Sequence, residues 1–335
     1  MPVWLVSGAS GFLGRHLLGV LGPSPGPGVE VVAIGRRLPE GWPPDAFLPA
    51  DLEDPPSLRR AVASARPEVV FHLGGRTPPA DAASFYRSNV GGTAALLDAL
   101  DALGAPCRVV AAGSAAELGP VPASRLPVDE RTPCRPEGPY GLSKWFASRL
   151  TAARLGPVEG IVARVFNPIG PGTPGGQAFG RFAAALAEPG PDPRVLRTGN
   201  LDARRDFIDA RDVASALVAL ALRGRAGRIY PVGTGVSRSI AEGLDRLIAL
   251  SGLRVTVEAG SNPSGPTDSR ADLGAMTRDT GWAPRIGFEE SLADLWRSVA
   301  DRRITAPSVR VDPGSTAPGP AGGPIARRDV SRSAE

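Results

Sequence analysis

The sequence predicts an α/β fold, a parallel sheet doubly wound with helices, followed by a smaller C-terminal α/β domain. The first observation is the alternation of short apolar β-type runs with helical stretches through the first half of the chain. It begins with the run Val3 to Ser7 and the helix Phe12 to Leu21. The second is the loss of this alternation beyond Asn167. The third is an apolar share of 42% in 335 residues, enough for the core of one large domain or two unequal ones.

The later elements come in order along the chain. A Pro/Gly-rich connection, Gly22 to Gly28, leads from the first helix into the second strand. Compact apolar runs predict strands over 29–34, 46–50, 68–73, 108–112, 160–165 and 254–258. Apolar residues at helical spacing predict helices over 82–103, 139–155, 178–187, 240–251 and 288–302.

These elements divide the chain into two domains and a tail. Residues 1–166 are predicted to form the first domain, to which 207–235 returns, and 167–206 with 236–303 form the second. Residues 304–335 are mostly Pro, Gly, Ala, Ser and Arg, with few large apolar side chains. Such a segment cannot bury enough surface to offset the entropy lost on ordering, so a disordered tail is predicted.

Composition excludes several classes of function. Two cysteines without a Cys-x-x-Cys spacing and two histidines predict neither a disulfide framework nor a metal site. No apolar run approaches the ~20 residues of a membrane helix and no secretory signal is visible, so a cytoplasmic protein without membrane contact is expected. The net charge of +4 comes from scattered basic residues, which favours a small anionic ligand over nucleic acid.

Three glycines stand between the first strand and the first helix. Gly8, Gly11 and Gly14 form a G-x-x-G-x-x-G spacing, with Phe12 and Leu13 opening the helix. Glycine permits a tight turn and a close approach of a pyrophosphate, whose charge then faces the N–H groups of the helix N-terminus. The position of the motif predicts a Rossmann-type dinucleotide-binding domain.

The end of the second strand carries Arg36 and Arg37 where an NAD enzyme usually offers a carboxylate to the ribose. Two guanidinium groups can bind a 2′-phosphate, which favours NADP(H) while leaving NAD(H) possible. The alternative is that both arginines belong to a solvated loop. Asp51, with Leu52 beside it, is a candidate for binding the adenine amino group.

Tyr140 and Lys144 lie one turn apart on the predicted helix that begins near Pro139. A tyrosine normally titrates near 10, and a neighbouring ammonium group lowers that pKa by favouring the phenolate. The pair is a candidate acid–base group, although a Tyr four residues before a Lys usually has no such role.

Eight motifs occur in a fixed order: GASGFLG at 8–14, HLGG at 72–75, NVGGT at 89–93, GSAAELG at 113–119, PYGLSK at 139–144, RVFNPIGPG at 164–172, RDFIDARDVA at 205–214 and GWAP at 281–284. The ordered set resembles the extended short-chain dehydrogenase/reductase family of nucleotide-sugar epimerases, dehydratases and reductases. The resemblance covers residues 1 to about 302.

The resemblance implies roles for individual residues. Tyr140 would be the general acid/base, Lys144 would bind the nicotinamide ribose and lower the pKa of Tyr140, and Ser114 would hydrogen-bond the reacting carbonyl. Leu73, Gly74 and Asn89 would line the cofactor cleft. The sugar and diphosphate of the substrate would be bound by Asn167, Arg205 and Arg270.

Two of these substrate assignments carry alternatives. An ion pair to Asp206 or Asp209 is the alternative role of Arg205. Arg270 is proposed because Gly265 stands where many relatives place a diphosphate-binding arginine.

The resemblance also ranks the reactions. The Asp-Glu pair that comes after the Ser/Thr in dehydratases is replaced by Ala115 and Ala116, and Arg36 replaces the acidic residue usual in epimerases. GSAAELG and FNPIGPG are most similar to GDP-4-keto-6-deoxymannose reductases, so NADPH-dependent reduction of a 4-keto group on a nucleotide-linked sugar is expected. A 4-epimerase with tightly bound NAD is the alternative, and a non-catalytic nicotinamide sensor is a third interpretation. The family also implies a homodimer formed through the helices at 82–103 and 139–155.

Overall fold

The computed structural model describes residues 1–23, 28–260, 268–305 and 325–330. Within them, one sheet contains strands β1 (Val3–Ser7), β2 (Glu30–Gly35), β3 (Phe47–Pro49), β4 (Val69–His72), β5 (Cys107–Ser114), β6 (Val158–Val165) and β10 (Ile229–Val232). All neighbours are parallel, in the order β10-β6-β5-β4-β1-β2-β3. Along the chain, β2 and β3 add on one side of β1, whereas β4, β5, β6 and β10 add on its other side. The strand order therefore reverses between β1 and β4, as in a Rossmann-type sheet.

Both faces of this sheet are buried under helices. Successive residues of each strand point to opposite faces, so both sets of side chains are covered. Leu5 packs in one apolar cluster and Val6 in the other, and both are fully buried. Helices α1 (Phe12–Leu21), α7 (Ala210–Arg223) and α9 (Gly274–Thr280) cover the face of Val6. Helices α2 (Pro55–Ala65), α4 (Gly92–Asp101) and α5 (Gly138–Ala152) cover the other. Apolar runs in the strands thus reflect burial on two sides.

The helix predicted over 82–103 is continuous but not regular. It consists of α3 (Ala82–Phe85), a π-helical turn over Tyr86–Gly91 and α4. A π-helical turn adds a residue to the turn and is often found at functional sites. Here it contains Asn89, a buried member of the predicted site.

The chain separates into two units. The first contains Met1–Pro168, Asp206–Ser237 and Asp268–Ile286, and the second contains Ile169–Arg205, Arg238–Thr267 and Gly287–Glu335. In the second unit, helices α6 (Ala178–Ala187), α8 (Ile240–Ser251) and α10 (Phe288–Thr305) pack together, and β12 (Val255–Gly260) pairs in parallel with β8 (Arg194–Thr198). The short strands β7 (Asn167–Ile169), β9 (Arg204–Asp209) and β11 (Ser237–Ser239) form a further sheet, in the order β11-β9-β7.

Residues 268–286 differ from the predicted division, which gave them to the second domain. The structure places them in the first unit because Met276 and Trp282 are buried in the cluster around α7. The Trp282 indole donates to Ser215 Oγ at 2.8 Å. The Asp212 carboxylate accepts the backbone N–H groups of Arg285 and Ile286 at 2.9 and 2.8 Å.

The predicted disordered tail also differs in part. Ile325–Val330 form strand β13, which pairs antiparallel with β12. An exposed strand edge offers unpaired backbone groups to any extended segment, whatever its side chains. The rest of the tail beyond Thr305 lies outside the described residues, as do the middle of the connection predicted over 22–28 and Gly265. In the described part of the chain, no helix has the length and apolar character required to cross a membrane.

Candidate functional site

The glycine turn brings two backbones into direct contact. Gly8 has a φ of +70°, which favours glycine, and a Cβ placed on it would lie 2.5 Å from the Gly74 nitrogen. A Cβ on Gly14 would lie 2.2 Å from the Gly8 carbonyl oxygen. Helix α1 then begins at Phe12 with Gly11 as its N-cap, and no side chain caps its free N–H groups. Both glycines are therefore required by space, and the helix N-terminus is free to face an anion.

One cleft collects most of the predicted cofactor-binding residues at the carboxyl ends of β1, β2, β3 and β4. Its lining includes Gly8, Gly11, Arg36, Arg37, Asp51, Leu52, Leu73 and Gly74. The other predicted cofactor-binding residues lie outside this lining: Phe12, Leu13, Gly14, Asn89, Tyr140 and Lys144. The cleft combines exposed glycine backbone, a helix N-terminus and three arginines, Arg36, Arg37 and Arg76, which fits the pyrophosphate and phosphates of a dinucleotide.

Charged side chains are arranged unevenly around this cleft. Arg36 and Arg37 are exposed, and neither forms an ion pair within the described part of the chain. Asp51 is half-buried, and its Oδ1 accepts the Glu53 N–H at 3.0 Å. Glu53 is bound by Ser88 and Arg87, so its charge is held by the wall of the cleft. The two arginines are the free cations of the predicted 2′-phosphate site.

Asn89 acts on the backbone behind the cleft. It is 2% exposed; its Oδ1 accepts the Arg76 N–H at 2.7 Å and its Nδ2 donates to the Arg76 carbonyl at 3.1 Å. The same Nδ2 donates to Ser143 Oγ at 2.9 Å, and Ser143 donates to the Tyr140 carbonyl at 2.8 Å. In this structure Asn89 joins the cleft wall to the start of α5.

A buried histidine continues this network, and sequence reasoning assigned it no role. Thr93 donates its hydroxyl proton to the Asn89 carbonyl at 2.6 Å, so it must accept from His72 Nε2 at 2.9 Å. His72 Nδ1 is then unprotonated and accepts from Ser7 Oγ at 2.7 Å. Burial, with the Lys144 ammonium adding to it, lowers the pKa of His72 to about 3. His72 is thus a neutral imidazole that connects β1, β4 and α4 through its hydrogen bonds.

Ser114 and Tyr140 lie beside each other. Ser114 ends β5, Tyr140 lies in the first turn of α5, and the Ser114 hydroxyl is near enough to the phenol to act on its pKa. The Tyr140 ring also packs against Phe85, with centroids 5.4 Å apart. The hydroxyl and the phenol therefore present adjacent polar groups at the carboxyl edge of the sheet.

The net direction expected for the pKa of Tyr140 was wrong. The pKa of Tyr140 is raised, because burial outweighs the Ser114 hydrogen bond and the Glu117 charge adds to the rise. Lys144 donates a short hydrogen bond to the Ala112 carbonyl, and burial lowers the pKa of its ammonium. Spacing placed the two groups one turn apart but did not include burial. The phenol is consequently protonated at neutral pH.

Beneath Ser114 lies Glu117, a fully buried carboxylate that sequence reasoning missed. It accepts the Ser114 N–H at 2.7 Å in a capping box and pairs with Arg164, whose side chain is 2% exposed, at 3.1 Å. The Ser-x-x-Glu spacing of a capping box was visible in the sequence and signalled this contact.

The predicted substrate residues of the first unit surround a second buried carboxylate. Asp206 accepts the N–H groups of Thr234, Gly235 and Ala271 at 2.7–3.0 Å, and Asn167 donates to its carbonyl at 3.0 Å. Burial raises the pKa of this carboxyl. Asp206 therefore fixes the backbone that adjoins the predicted substrate-binding residues.

The two predicted substrate arginines lie next to these fixed points along the chain. Arg270 immediately precedes Ala271, and its Nε is buried with no hydrogen-bond partner among the described residues. Arg205 precedes Asp206 and belongs to the second unit, where its Nη1 donates to the Arg204 carbonyl. Asp209, the other alternative partner of Arg205, caps α7 and pairs with Arg211.

Known proteins resemble this chain over most of its length. The model of the NAD dependent epimerase/dehydratase family matches residues 4–233. GDP-6-deoxy-D-mannose reductase of Pseudomonas aeruginosa is 32% identical over 312 residues, covering 88% of this chain and 96% of the reductase. dTDP-6-deoxy-L-talose 4-dehydrogenase (NAD(P)(+)) of Kitasatospora kifunensis is 30% identical over 301 residues, covering 87% of this chain and 93% of the dehydrogenase.

A solved structure agrees with these sequence matches. RMD from Pseudomonas aeruginosa, complexed with NADPH, has a TM-score of 0.79 to this chain at 29% identity, covering 90% of this chain and 100% of that one. The comparisons confirm the predicted resemblance to extended short-chain dehydrogenase/reductases and the Rossmann-type fold.

The buried His72 predicts a pH dependence of stability. Its pKa is about 3 in the folded chain and near 6.5 when unfolded, so the unfolded state gains a proton first as the pH falls. The contribution of His72 to the free energy of unfolding is fully present above pH ~6.5. Between pH ~6.5 and ~3 it falls by up to ~1.4 kcal/mol per pH unit. In His72→Gln this part of the slope should disappear. The measurement is denaturant unfolding of both proteins from pH 7 to 4, and parallel curves would contradict the assignment.

Proposed function

Since the chain belongs to the NAD dependent epimerase/dehydratase family, the extended short-chain dehydrogenase/reductases, we propose that it reduces a 4-keto group on a nucleotide-linked 6-deoxysugar with NADPH. The observation that carries the proposal is the placement of a phenol beside a serine hydroxyl, Tyr140 beside Ser114. Reduction of a ketone requires a proton donor at the new alkoxide, and a tyrosine, which is protonated at neutral pH, can supply that proton. Two relatives named for chemistry on 6-deoxyhexoses support the sugar class.

The residues around the keto oxygen divide the work. Bound NADPH would supply the hydride to the keto carbon. The Ser114 hydroxyl would donate a hydrogen bond to the keto oxygen, and Tyr140 would give its phenolic proton to that oxygen as negative charge develops. The Lys144 ammonium would stabilise the resulting phenolate and bind the nicotinamide ribose. The proton returns to Tyr140 from solvent before the next turnover.

Elimination is disfavoured by the residues directly after Ser114. Ala115 and Ala116 supply no acid or base, and the carboxylate of Glu117 is committed to Ser114 N–H, Ser148 and Arg164. Dehydration of a sugar needs a proton removed and a hydroxyl protonated, which these residues do not provide. This leaves reduction, with 4-epimerisation as the competing outcome.

Substrate binding is proposed for Asn167, Arg205 and Arg270. The buried, unpartnered Nε of Arg270 supports a role for its guanidinium in binding the diphosphate, because a buried polar atom without a partner is costly. Asn167 Nδ2 is occupied by the Asp206 carbonyl, so its amide oxygen is the group offered to the sugar.

The test is the absorbance of NADPH mixed with the protein and a panel of nucleotide-linked 4-keto-6-deoxysugars. Stoichiometric loss of reduced nicotinamide is expected, and kcat should fall by a factor on the order of 10²–10⁴ in Tyr140→Phe because the proton donor is removed. Tyr140→Phe keeps the ring that packs against Phe85. If NADPH is not consumed, while NAD co-purifies with the protein and nucleotide sugars interconvert, the protein is an epimerase and not a reductase.

Cofactor preference is tested at the end of β2. In the double variant Arg36→Ser with Arg37→Ser, the KM for NADPH should rise roughly 10- to 100-fold because charge-assisted bonds to the 2′-phosphate are lost. The KM for NADH should stay within about twofold. Arg15→Ser removes an exposed arginine of α1 outside the cleft lining and serves as the control. Equal rises for both cofactors would assign the arginines elsewhere.

We further propose a homodimer formed through α4 and α5. Phe146 on α5 is 45% exposed and packs against Trp145 with tilted rings whose centroids are 5.1 Å apart, which leaves an aromatic surface on this helix. Light scattering should give twice the 34.6 kDa of one chain, and Phe146→Asp should reduce it to one. Leu222→Asp, at a 55% exposed leucine of α7, is the control and should remain dimeric. A single-chain mass for the unmodified protein would exclude the dimer.

A further inference from the structure

The Glu117 carboxylate is fully buried and accepts hydrogen bonds from three separate elements. Its Oε1 accepts the backbone N–H of Ser114 and the hydroxyl of Ser148, each at 2.7 Å. Its Oε2 accepts from Arg164 Nε at 3.1 Å. A carboxylate without exposure is stable only when charge and lone pairs are satisfied in this way.

The three donors belong to the elements that carry the proposed chemistry. Ser114 ends β5, Arg164 lies on the neighbouring strand β6, and Ser148 lies on α5 one turn beyond Lys144. A single carboxylate therefore joins the strand that bears the Ser114 hydroxyl to the helix that bears Tyr140. The strand and the helix are both positioned by hydrogen bonds to the same atom, Glu117 Oε1.

The chain leaves room for this carboxylate at Gly113, opposite Arg164 in the strand register. A Cβ on Gly113 would lie 2.6 Å from Glu117 Oε1 and 2.9 Å from Ser148 Oγ. Glycine at this position thus allows β5 and α5 to approach closely enough to share one acceptor.

We propose that Glu117 is a positioning residue for proton transfer, which holds the Ser114 hydroxyl and the Tyr140 phenol at a fixed separation by binding Ser114 N–H and Ser148 with one oxygen. The inference rests on the reductase function proposed above. Glu117 does not touch the reacting atoms, because its side chain faces away from the cleft into the contact between β5, β6 and α5.

The charge of Glu117 adds a second, measurable effect. The groups that act on Tyr140 are Ser114 at the end of β5, Glu117 in the turn that follows, and the Phe85 ring of α3, with Arg164 of β6 paired to Glu117. Lys144 lies one turn further along α5 and donates to the Ala112 carbonyl. Glu117 raises the pKa of Tyr140 and, acting on the ammonium, that of Lys144. Removing the negative charge should therefore lower the pKa of the phenol.

The experiment compares Glu117→Gln with the unmodified protein. We expect kcat to fall roughly 10- to 100-fold, since a small misplacement of reacting groups has this effect, while the KM for NADPH stays within about twofold. The alkaline limb of the kcat profile should move to lower pH. A kcat within about twofold and an unmoved limb would overturn the proposal.

Glu159→Gln is the matched control. Glu159 pairs with Arg108 at 2.8 Å and is its register partner on the same two strands, near their other end. This variant removes a carboxylate from β6 without touching α5, so kcat and its pH profile should not change. A Glu159→Gln effect equal to that of Glu117→Gln would mean that any ion pair between these strands acts in this way, and would overturn the specific role of Glu117.

If Glu117→Gln fails to fold because Arg164 has lost its ion pair, a second variant tests the proposal. Ser148→Ala removes only the tie to α5 and should lower kcat several-fold without moving the alkaline limb, because the charge remains. An unchanged kcat would overturn the proposal.

A measurement without substrate separates this inference from the reductase assignment. Ultraviolet difference titration of the protein against its Tyr140→Phe variant reports ionisation of the phenol directly. The pKa of Tyr140 should be lower in Glu117→Gln, and an unchanged value would overturn the electrostatic part even if no keto sugar is reduced.

Discussion

The contact between the backbones of Gly8 and Gly74 is the constraint on which the cofactor cleft depends. These residues come after β1 and β4, the neighbouring strands at which the sheet reverses its order. Connections on the two sides of that point diverge to opposite faces and leave a crevice at the carboxyl ends of the strands. The crevice is narrow at its base because no Cβ separates the two chains. A Cβ on Gly8 would clash with the Gly74 backbone, and a Cβ on Gly74 would clash with the Leu52 side chain.

The same edge of the sheet supplies the reacting groups. β5 ends in Ser114 and α5 begins two residues before Tyr140, so a strand end and a helix start meet beside the cleft. The backbone under this junction is held by buried polar groups that bind partners from other elements. Asn89 and Ser143 hold the start of α5, while Glu117 holds its middle. Such a network specifies one arrangement, since any shift leaves a buried polar atom unpaired.

Much of this was available from the sequence, because its signals are local. The strand–glycine–helix order, the two arginines after β2 and the Tyr140–Lys144 spacing each depend on residues within a few positions. What the sequence did not reveal depends on partners far along the chain. His72 contacts Ser7 and Thr93, and Asp206 binds Ala271, pairs that no periodicity indicates. The segment 268–286 was assigned to the wrong domain for the same reason. The direction of the Tyr140 pKa also failed, since spacing measures proximity but not burial.

Burial decides the chemistry of the phenol more than its neighbours do. An exposed tyrosine beside an ammonium would favour the phenolate and act as a base, whereas a desolvated one retains its proton. Here Lys144 points to the Ala112 carbonyl and Glu117 adds a negative charge nearby, so both neighbours leave the proton on Tyr140. The phenol of this structure therefore holds its proton, which is the state that the proposed reduction requires.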